Sequence, residues 1–376
     1  MANKSDRRGS LKIGVIGVGF GAAVHIPAFQ SEGVEVLAVS ARHLDRALEA
    51  SQKFNIPNYF DDYKEMLLMK DLDAVSICSP HHLHHEMVME ALNKGKHILC
   101  EKPFATNVEE ARQMLEASID SKKTVMVAHE FRWAPQRAFV KELLEEQYIG
   151  DFRFLQANLM VGPTRELKPR KMVHPDLGFR GGFLWGLGSH YLDAFRHWMG
   201  DIVSVQSILK SNMPDRVEQE TSTLVQTTSD DTFSLLLEFA NGGSGTLSGS
   251  SATPYGPGGN IEIFGSTGAL STPQPYVNRS QAGFNPPPEG KVFGAQFGQV
   301  GDQQKDLGMP SKYRPFDDDR DHRLMAFRLM VREFIRGVET GTSPSPNFKD
   351  AYELQKVLEG AIRSMELNRK IEMDTI

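Results

Sequence analysis

Leu11-Lys12-Ile13-Gly14-Val15-Ile16-Gly17-Val18-Gly19-Phe20-Gly21-Ala22 decides the fold: a short apolar run meets a glycine turn and opens at once into a helical stretch, Ala22 to Gln30. Strand, glycine turn and helix in that order form the entry of a dinucleotide fold. Gly17 permits the tight turn and Gly19 lets the backbone approach a pyrophosphate. Ala22 fills the third small position, with Phe20 and Gly21 leading into it, so that helix N-terminal amides face the phosphates. Glycine turns also occur as ordinary strand-to-helix connections, so the units that follow must carry the assignment.

Those units alternate as a parallel sheet requires. Strand Val34 to Ser40, helices Leu44 to Phe54 and Tyr63 to Met69, strand Ala74 to Cys78, helix Leu83 to Lys94 and strand His97 to Cys100 follow in turn. Helix Asn107 to Ser121, with Asn107 as N-cap and Glu110 in its first turn, precedes a last strand, Thr124 to Ala128. The reading is an α/β chain: a doubly wound parallel Rossmann domain over residues 1–128 and a second α/β domain over 129–376.

Bulk properties fit two domains: 376 residues, 40% of them hydrophobic, supply two cores. A net charge of −6 gives no basic field for nucleic acid or an anionic membrane, so the expected partner is a small molecule. No apolar run reaches the ~20 residues of a membrane span, and Met1 to Ser10 lacks the apolar core of a signal peptide, so the expected location is the cytoplasm. Cys78 and Cys100, both at the ends of apolar strands, suit reduced, buried thiols better than a disulfide framework.

At the end of the second strand an acidic side chain would mark NAD. Ala41 stands there instead, flanked by Ser40 and Arg42, whose hydroxyl and guanidinium suit a 2′-phosphate. NADP(H) is therefore the expected cofactor, with NAD(H) possible; Arg42 could equally be a solvated helix-opening residue or stack on adenine. His81, His82, His84 and His85 follow Ser79-Pro80 at another strand-to-helix turn. With no neighbouring Cys or Asp to complete a ligand set, they read as cofactor-side or helix-start residues, and no metal is expected. Further on, Glu101-Lys102-Pro103 closes the strand His97 to Cys100. A lysine held at a strand end by a following proline is placed for proton transfer, or else for a structural ion pair with Glu101.

These motifs resemble the Gfo/Idh/MocA oxidoreductases, the family of glucose–fructose oxidoreductase and inositol dehydrogenase, over nearly the whole chain. The resemblance rests on Gly17, Gly19 and Ala22, on Ser79-Pro80-His81-His82-Leu83-His84, on Glu101-Lys102-Pro103, and on Arg132-Trp133-Ala134-Pro135. Around Ser40-Ala41-Arg42-His43-Leu44-Asp45 and Asn55-Ile56-Pro57 the chain looks especially like the dimeric dihydrodiol dehydrogenase branch, which uses NADP. What the resemblance implies is a Rossmann domain followed by an α/β domain with an open, mostly antiparallel sheet, often the interface of a homodimer or homotetramer. It also implies cofactor contacts from Gly17, Gly19, Phe20, Gly21, Ala22, Ser40, Arg42, Ser79, Pro80, His81, His84, Glu101, Lys102 and Arg132.

In the second domain, a helix Pro135 to Glu146 and a strand Phe152 to Met160 lead into a Gly/Pro/Arg-rich passage, to Gly182, that should shape the substrate site. Phe233, Leu235, Leu237 and Phe239 alternate as a half-buried strand, with further strands at Gly245 to Ser251 and Ile261 to Phe264. Residues 272–317, rich in Gly, Pro and Gln, read as a long loop covering the site or a neighbouring subunit. Helices Leu324 to Val338 and Phe348 to Leu367 close the chain.

The family's pattern Gly-Gly-Gly, Asp-x-x-x-His, then Asp, falls on Gly181 to Asp193. His190 and Asp193 match it, while Gly186 occupies the place of the first Asp. Moving hydride between a carbinol carbon and a nicotinamide needs a group to take or give the hydroxyl proton and a donor to hold the developing alkoxide. Lys102 and His190 are the expected catalytic pair, with Asp193 as structural support for the histidine and Tyr191, His174 or Arg180 as substrate contacts that compensate for Gly186. The expected activity is an NADP-dependent oxidoreductase acting on a secondary alcohol or ketone of a sugar, cyclitol or related polyol. The loss of the carboxylate at 186 also admits a non-catalytic regulator that binds NAD(P) and sugar on the same fold.

Overall fold

A computed structural model describes residues 11–161, 170–172, 178–218, 221–275, 290–299 and 303–376. The chain divides into two compact units. The first runs to Ala105 and adds Glu109–Glu130 and Arg323–Tyr352; the second comprises Thr106–Val108, Phe131–His322 and Glu353–Ile376. The first unit gives way to the second between Glu130 and Phe131. Segment 323–352, with a late helix, returns to the first unit.

The first unit is a six-stranded sheet built from β1 Lys12–Ile16, β2 Glu35–Ser40, β3 Asn58–Phe60, β4 Ala74–Ile77, β5 His97–Cys100 and β6 Val125–Val127. Its order is β3-β2-β1-β4-β5-β6 and every pairing is parallel. Such a sheet is covered on both faces, so its strands are near-continuous apolar runs. Ile13, Val15, Val39, Ala74, Val75, Ile77, Ile98 and Leu99 are all fully buried. Chain order reverses between β1 and β4, the place where the connections diverge and a crevice opens at the strands' C-terminal ends. The connecting helices here are α1 Ile26–Ser31, α2 Leu44–Phe54, α3 Tyr63–Leu67 and α4 His84–Asn93, followed by α5 Val108–Ser121. A π-helical turn, Gly21–His25, precedes α1 where the sequence suggested a regular helix from Ala22.

In the second unit, α6 Pro135–Glu145, the π-helical turn Leu184–Gly188 and α7 Ser189–Met199 accompany two sheets. The larger is formed by β7 Phe152–Met160, β9 Ile202–Lys210, β12 Thr232–Phe239, β13 Ser244–Ser250, β14 Gly258–Gly265, β15 Gly268–Pro275, β16 Phe293–Gln296, β17 Lys305–Asp306 and β18 Ile371–Glu372. The order is β17-β16-β15-β14-β7-β13-β12-β9-β18, antiparallel except for the β7/β13 pair. A small sheet joins β8 Arg170–Met172, β10 Asp215–Glu218 and β11 Leu224–Gln226. In β12, Phe233, Leu235, Leu237 and Phe239 point into the core at 1–2% exposure while Leu236 on the opposite face is 56% exposed. That alternation is what one covered and one open face produce. Two late helices, α8 Leu324–Thr340 and α9 Phe348–Leu367, complete the fold.

The long loop expected over 272–317 is corrected by this topology. Residues to Pro275 belong to β15, Gly294↔Leu270 and Ala295↔Ala269 pair β16 with it, and Ser311–Tyr313 forms a helical turn. Residues 276–289 and 300–302, which that reading also covered, lie outside the described residues. Both thiols are free, Cys100 buried and Cys78 half-buried, and burial pushes each well above the ordinary cysteine range, as suits unreactive groups. No helix among the described residues is long and apolar enough to cross a membrane.

Candidate active site

In the first unit, the loops that follow β1, β2, β4 and β5 all lie at the C-terminal edge of one parallel sheet. Gly17 adopts φ +96°, and a Cβ there would stand 2.7 Å from the carbonyl oxygen of Cys78, after β4. Its N–H donates to the Ser40 carbonyl at 2.8 Å, so the turn is braced by the ends of two neighbouring strands. Gly19 is exposed, with nothing within 4 Å of where its Cβ would be. Gly21 would bring a Cβ to 3.0 Å from Val15 Cγ1, so a close helix-to-strand contact falls on Gly21. An open cradle at Gly19, ahead of a helical N-terminus that has no side-chain cap, fits a dinucleotide diphosphate. Ser40, expected to offer its hydroxyl, is only 2% exposed and serves the turn through its carbonyl, which leaves exposed Arg42 as the outward-facing member of the pair.

The helix that starts in this turn carries a residue that sequence reasoning missed. His25 is fully buried; its Nδ1 is 2.7 Å from Ser76 Oγ on β4 and its Nε2 is 2.9 Å from Glu101 Oε1 after β5. The other oxygen of Glu101 accepts the backbone N–H of Lys102 at 3.1 Å. Burial opposes the charge on Glu101, but the hydrogen bond and charge of His25, together with Lys102 and His84, outweigh it and hold the carboxyl below its usual range. Glu101 is thus an anchor: it takes the dinucleotide helix in one oxygen and the Lys102 backbone in the other, leaving the half-buried lysine side chain to the crevice edge. The only early signal was a histidine on an otherwise apolar face, beside Val24, Ile26 and Phe29.

Glu130 is a second buried carboxylate, 5% exposed, and its Oε2 has no hydrogen-bond partner among the described residues. Burial and the charge of Glu101 push it upward, opposed by Lys102 and Arg323. Among the histidines after β4, His84 is fully buried, with its Nε2 2.9 Å from the Ser79 carbonyl and its Nδ1 3.2 Å from the Phe104 carbonyl. Burial lowers its affinity for a proton against the pull of those carbonyls. It ties two loops together, and His85 binds Gln113 at 2.8 Å. His81 is buried, with Ser79 and Pro80 on the rim. Among the described residues no group of three or more His, Cys, Asp or Glu is arranged to hold a metal.

In the second unit, Asp230 shapes the passage toward His190. Its Oδ2 accepts the Leu184 N–H at 2.9 Å, its carbonyl accepts Phe183 N–H, and its Oδ1 stands where a Cβ on residue 182 would go, which requires Gly182. Burial pushes this carboxyl up to about 7. At Gly186, by contrast, a Cβ would meet nothing within 4 Å among the described residues. His190 is 2% exposed and lies flat on Phe131, centroids 3.9 Å apart at 15°. Arg137, 1% exposed, sits 4.5 Å over the same Phe131 ring and 4.6 Å over Tyr191.

Asp193 is gripped bidentately by Arg132, Nε to Oδ2 at 2.7 Å and Nη2 to Oδ1 at 2.6 Å. Tyr191 is 3% exposed beneath Arg137, and Arg180 donates to Glu359 at 2.7 Å. His174 lies outside the described residues.

Comparison with known proteins agrees with this arrangement. Residues 11–129 match the model of an oxidoreductase family with an NAD-binding Rossmann fold, and residues 138–271 match the GFO/IDH/MocA C-terminal domain. Mouse trans-1,2-dihydrobenzene-1,2-diol dehydrogenase is 32% identical over 222 residues, 58% of this chain and 62% of that one. A D-xylose 1-dehydrogenase (NADP(+)) of Haloferax volcanii is 25% identical over 97% of this chain and all of its own length. The solved structure of levoglucosan dehydrogenase with NADH and L-sorbose superposes with TM-score 0.82 at 22% identity, covering 97% of this chain and 99% of that one. With the glycine cradle, the anchored Glu101-Lys102 and the mixed sheet in place, the chain belongs to the Gfo/Idh/MocA family of oxidoreductases.

Proposed function

We propose that the protein is an NADP(H)-preferring dehydrogenase of a secondary alcohol or ketone in a sugar, cyclitol or related polyol. The observation that carries the reading is the anchoring of Lys102. Glu101 spends both oxygens, on His25 and on the Lys102 backbone, to fix a lysine at the edge of a sheet whose neighbouring turn is an open phosphate cradle. A bound dinucleotide supplies the carbon that takes or gives hydride. Lys102 Nζ takes or returns the hydroxyl proton, and the His190 imidazole, held flat on Phe131, donates to the oxygen on which charge develops. Arg42, exposed beyond β2 where an acidic residue would select NAD, supports the preference for the 2′-phosphate. The relatives that act on xylose and on dihydrodiols support the substrate class. Ile208 and Leu236, 59% and 56% exposed on the open face of the sheet, support a homodimer or homotetramer through that face, which light scattering would test.

Fluorescence titration with NADPH and NADH, followed by turnover on sugars and cyclitols, tests the reading. Lys102→Ala is expected to bind the dinucleotide normally and lose about 10³-fold in kcat, within the range for a general acid–base group; wild-type turnover would end the assignment. Arg42→Ala is expected to weaken NADPH about tenfold and NADH hardly at all, the scale of one charge-assisted contact. Gly186, in place of the family's carboxylate, favours a second reading, a regulator that binds without turnover. Tight dinucleotide binding with no turnover on any polyol would select it.

A further inference from the structure

We propose that Arg323 belongs to the dinucleotide site and contacts the diphosphate bridge shared by NAD and NADP. The inference rests on the dinucleotide reading above and adds to it a residue from the distant segment 323–352, which no cofactor motif covers.

Arg323 is the N-cap residue of α8, half-buried, and its guanidinium carbon lies 4.8 Å above the Phe20 ring. Phe20 is itself part of the turn: its backbone sits between Gly19, which borders open space, and Gly21, which packs on Val15. A guanidinium resting its face on a ring keeps its N–H donors in the plane at its edge, where they can reach an anion. The cation is therefore seated on the side chain of the very residue whose backbone helps form the cradle.

The rest of α8 fixes this position within the first unit. Arg328 Nε donates to Glu32 Oε1 at 2.7 Å and Arg332 Nε to Glu32 Oε2 at 2.6 Å, clamping α8 to the residue that ends α1. Phe327 packs 4.3 Å from His25 and 6.4 Å from Phe20, centroid to centroid. One side of α8 is thus bolted along the dinucleotide helix, and Arg323 is held over the turn before any ligand arrives, which reduces the ordering cost of binding. The uncapped helix N-terminus offers only about half a positive charge. A diphosphate carries two negative charges, and Arg323 supplies a full cation beside it.

The test is a titration of the full-length protein and its variants with NADPH, NADH, ADP-ribose and adenosine 2′-phosphate, with thermal unfolding in parallel. Arg323→Gln keeps a planar group to lie on Phe20 and removes the charge. It is expected to weaken NADPH, NADH and ADP-ribose by about tenfold each, the scale of one charge-assisted hydrogen bond, and to leave adenosine 2′-phosphate within about twofold. Arg323→Lys, which keeps the charge without the fork, is expected to fall between. Unchanged ADP-ribose affinity in Arg323→Gln would overturn the proposal, as would a loss confined to NADPH and adenosine 2′-phosphate. Weakening of all four ligands together with a lowered melting temperature in both variants would make the residue structural and likewise overturn it. Failure of the wild-type protein to bind any dinucleotide would instead overturn the functional reading on which the inference stands.

Discussion

Gly21–His25 in the first unit and Leu184–Gly188 in the second are both five-residue π-helical turns that run directly into an α-helix, and a buried histidine sits at or just past the end of each. Their N-termini are finished differently. The first has no side-chain cap and opens on Gly19, with nothing within 4 Å of its absent Cβ. The second receives a carboxylate: Asp230 accepts Leu184 N–H and fills the space beside Gly182. Their histidines differ too. His25 is fixed by polar partners on both ring nitrogens, Ser76 and Glu101, whereas His190 is fixed by the flat face of Phe131. The lesson is that one backbone device serves two purposes: left open, a helical N-terminus receives an external anion; filled from within, it becomes a rigid support for the histidine that follows.

The strongest way to break this comparison is to remove the polar partner of the first histidine. His25→Ala leaves Glu101 buried without its main counter-group, and loss of one member of a buried pair costs about 3–5 kcal/mol. The sign of its pH dependence is specific. In the wild type the Glu101 carboxyl lies below its ordinary range, so its contribution is present above the unfolded value near 4.5 and is lost as pH falls through the folded one. In the variant burial dominates, the folded carboxyl moves above that value, and the penalty is largest at neutral pH and shrinks on acidification. Urea unfolding of both proteins at pH 7 and pH 5 checks this; an equal difference at both would mean that His25 does not hold the charge on Glu101.

The unequal legibility of the two turns follows from how each is built. Gly17 and Gly19 are demanded by backbone geometry, which glycine alone reports, so the cradle is visible in the chain letters. His25 and Asp230 act across the fold, through partners 76 and 46 positions away, and nothing local marks them. His190 was accessible only through a resemblance, since its ring-stacking partner Phe131 lies 59 positions away in the chain. The same logic explains the sheet. β12 announces itself by strict alternation, whereas β15 and β16 are edge-side strands rich in Gly, Ala, Ser, Pro and Gln whose conformation comes from pairing more than from composition.

Removing the stack that holds the second histidine sharpens the contrast at intermediate cost. Phe131→Leu keeps an apolar side chain but deletes the platform shared by His190 and Arg137. A stability loss of about 1–2 kcal/mol is expected from the aromatic and cation–π contacts. If His190 acts as proposed, kcat falls about tenfold while dinucleotide affinity stays put, since a slightly misplaced donor harms the transition state more than binding. Unchanged kcat at reduced stability would show that the stack serves only packing.

The smallest expected effect lies in the capped turn itself and runs in the opposite direction. Asp230 is raised to about 7 by burial, against an ordinary value of 3.8. The folded state therefore holds a proton there that the unfolded chain gives up between about pH 4 and 7, and stability falls as pH rises through that window. Asp230→Asn retains an oxygen to accept Leu184 N–H, removes the charge, and puts an amide where Oδ1 has no partner among the described residues. The variant is expected to be more stable than the wild type by on the order of 1 kcal/mol at pH 8 and nearly equal to it at pH 4.5. Chemical denaturation across that range decides the matter: a variant destabilised throughout would mean the carboxylate is needed in its charged form, and the second turn would then resemble the first in depending on a negative charge at its N-terminus.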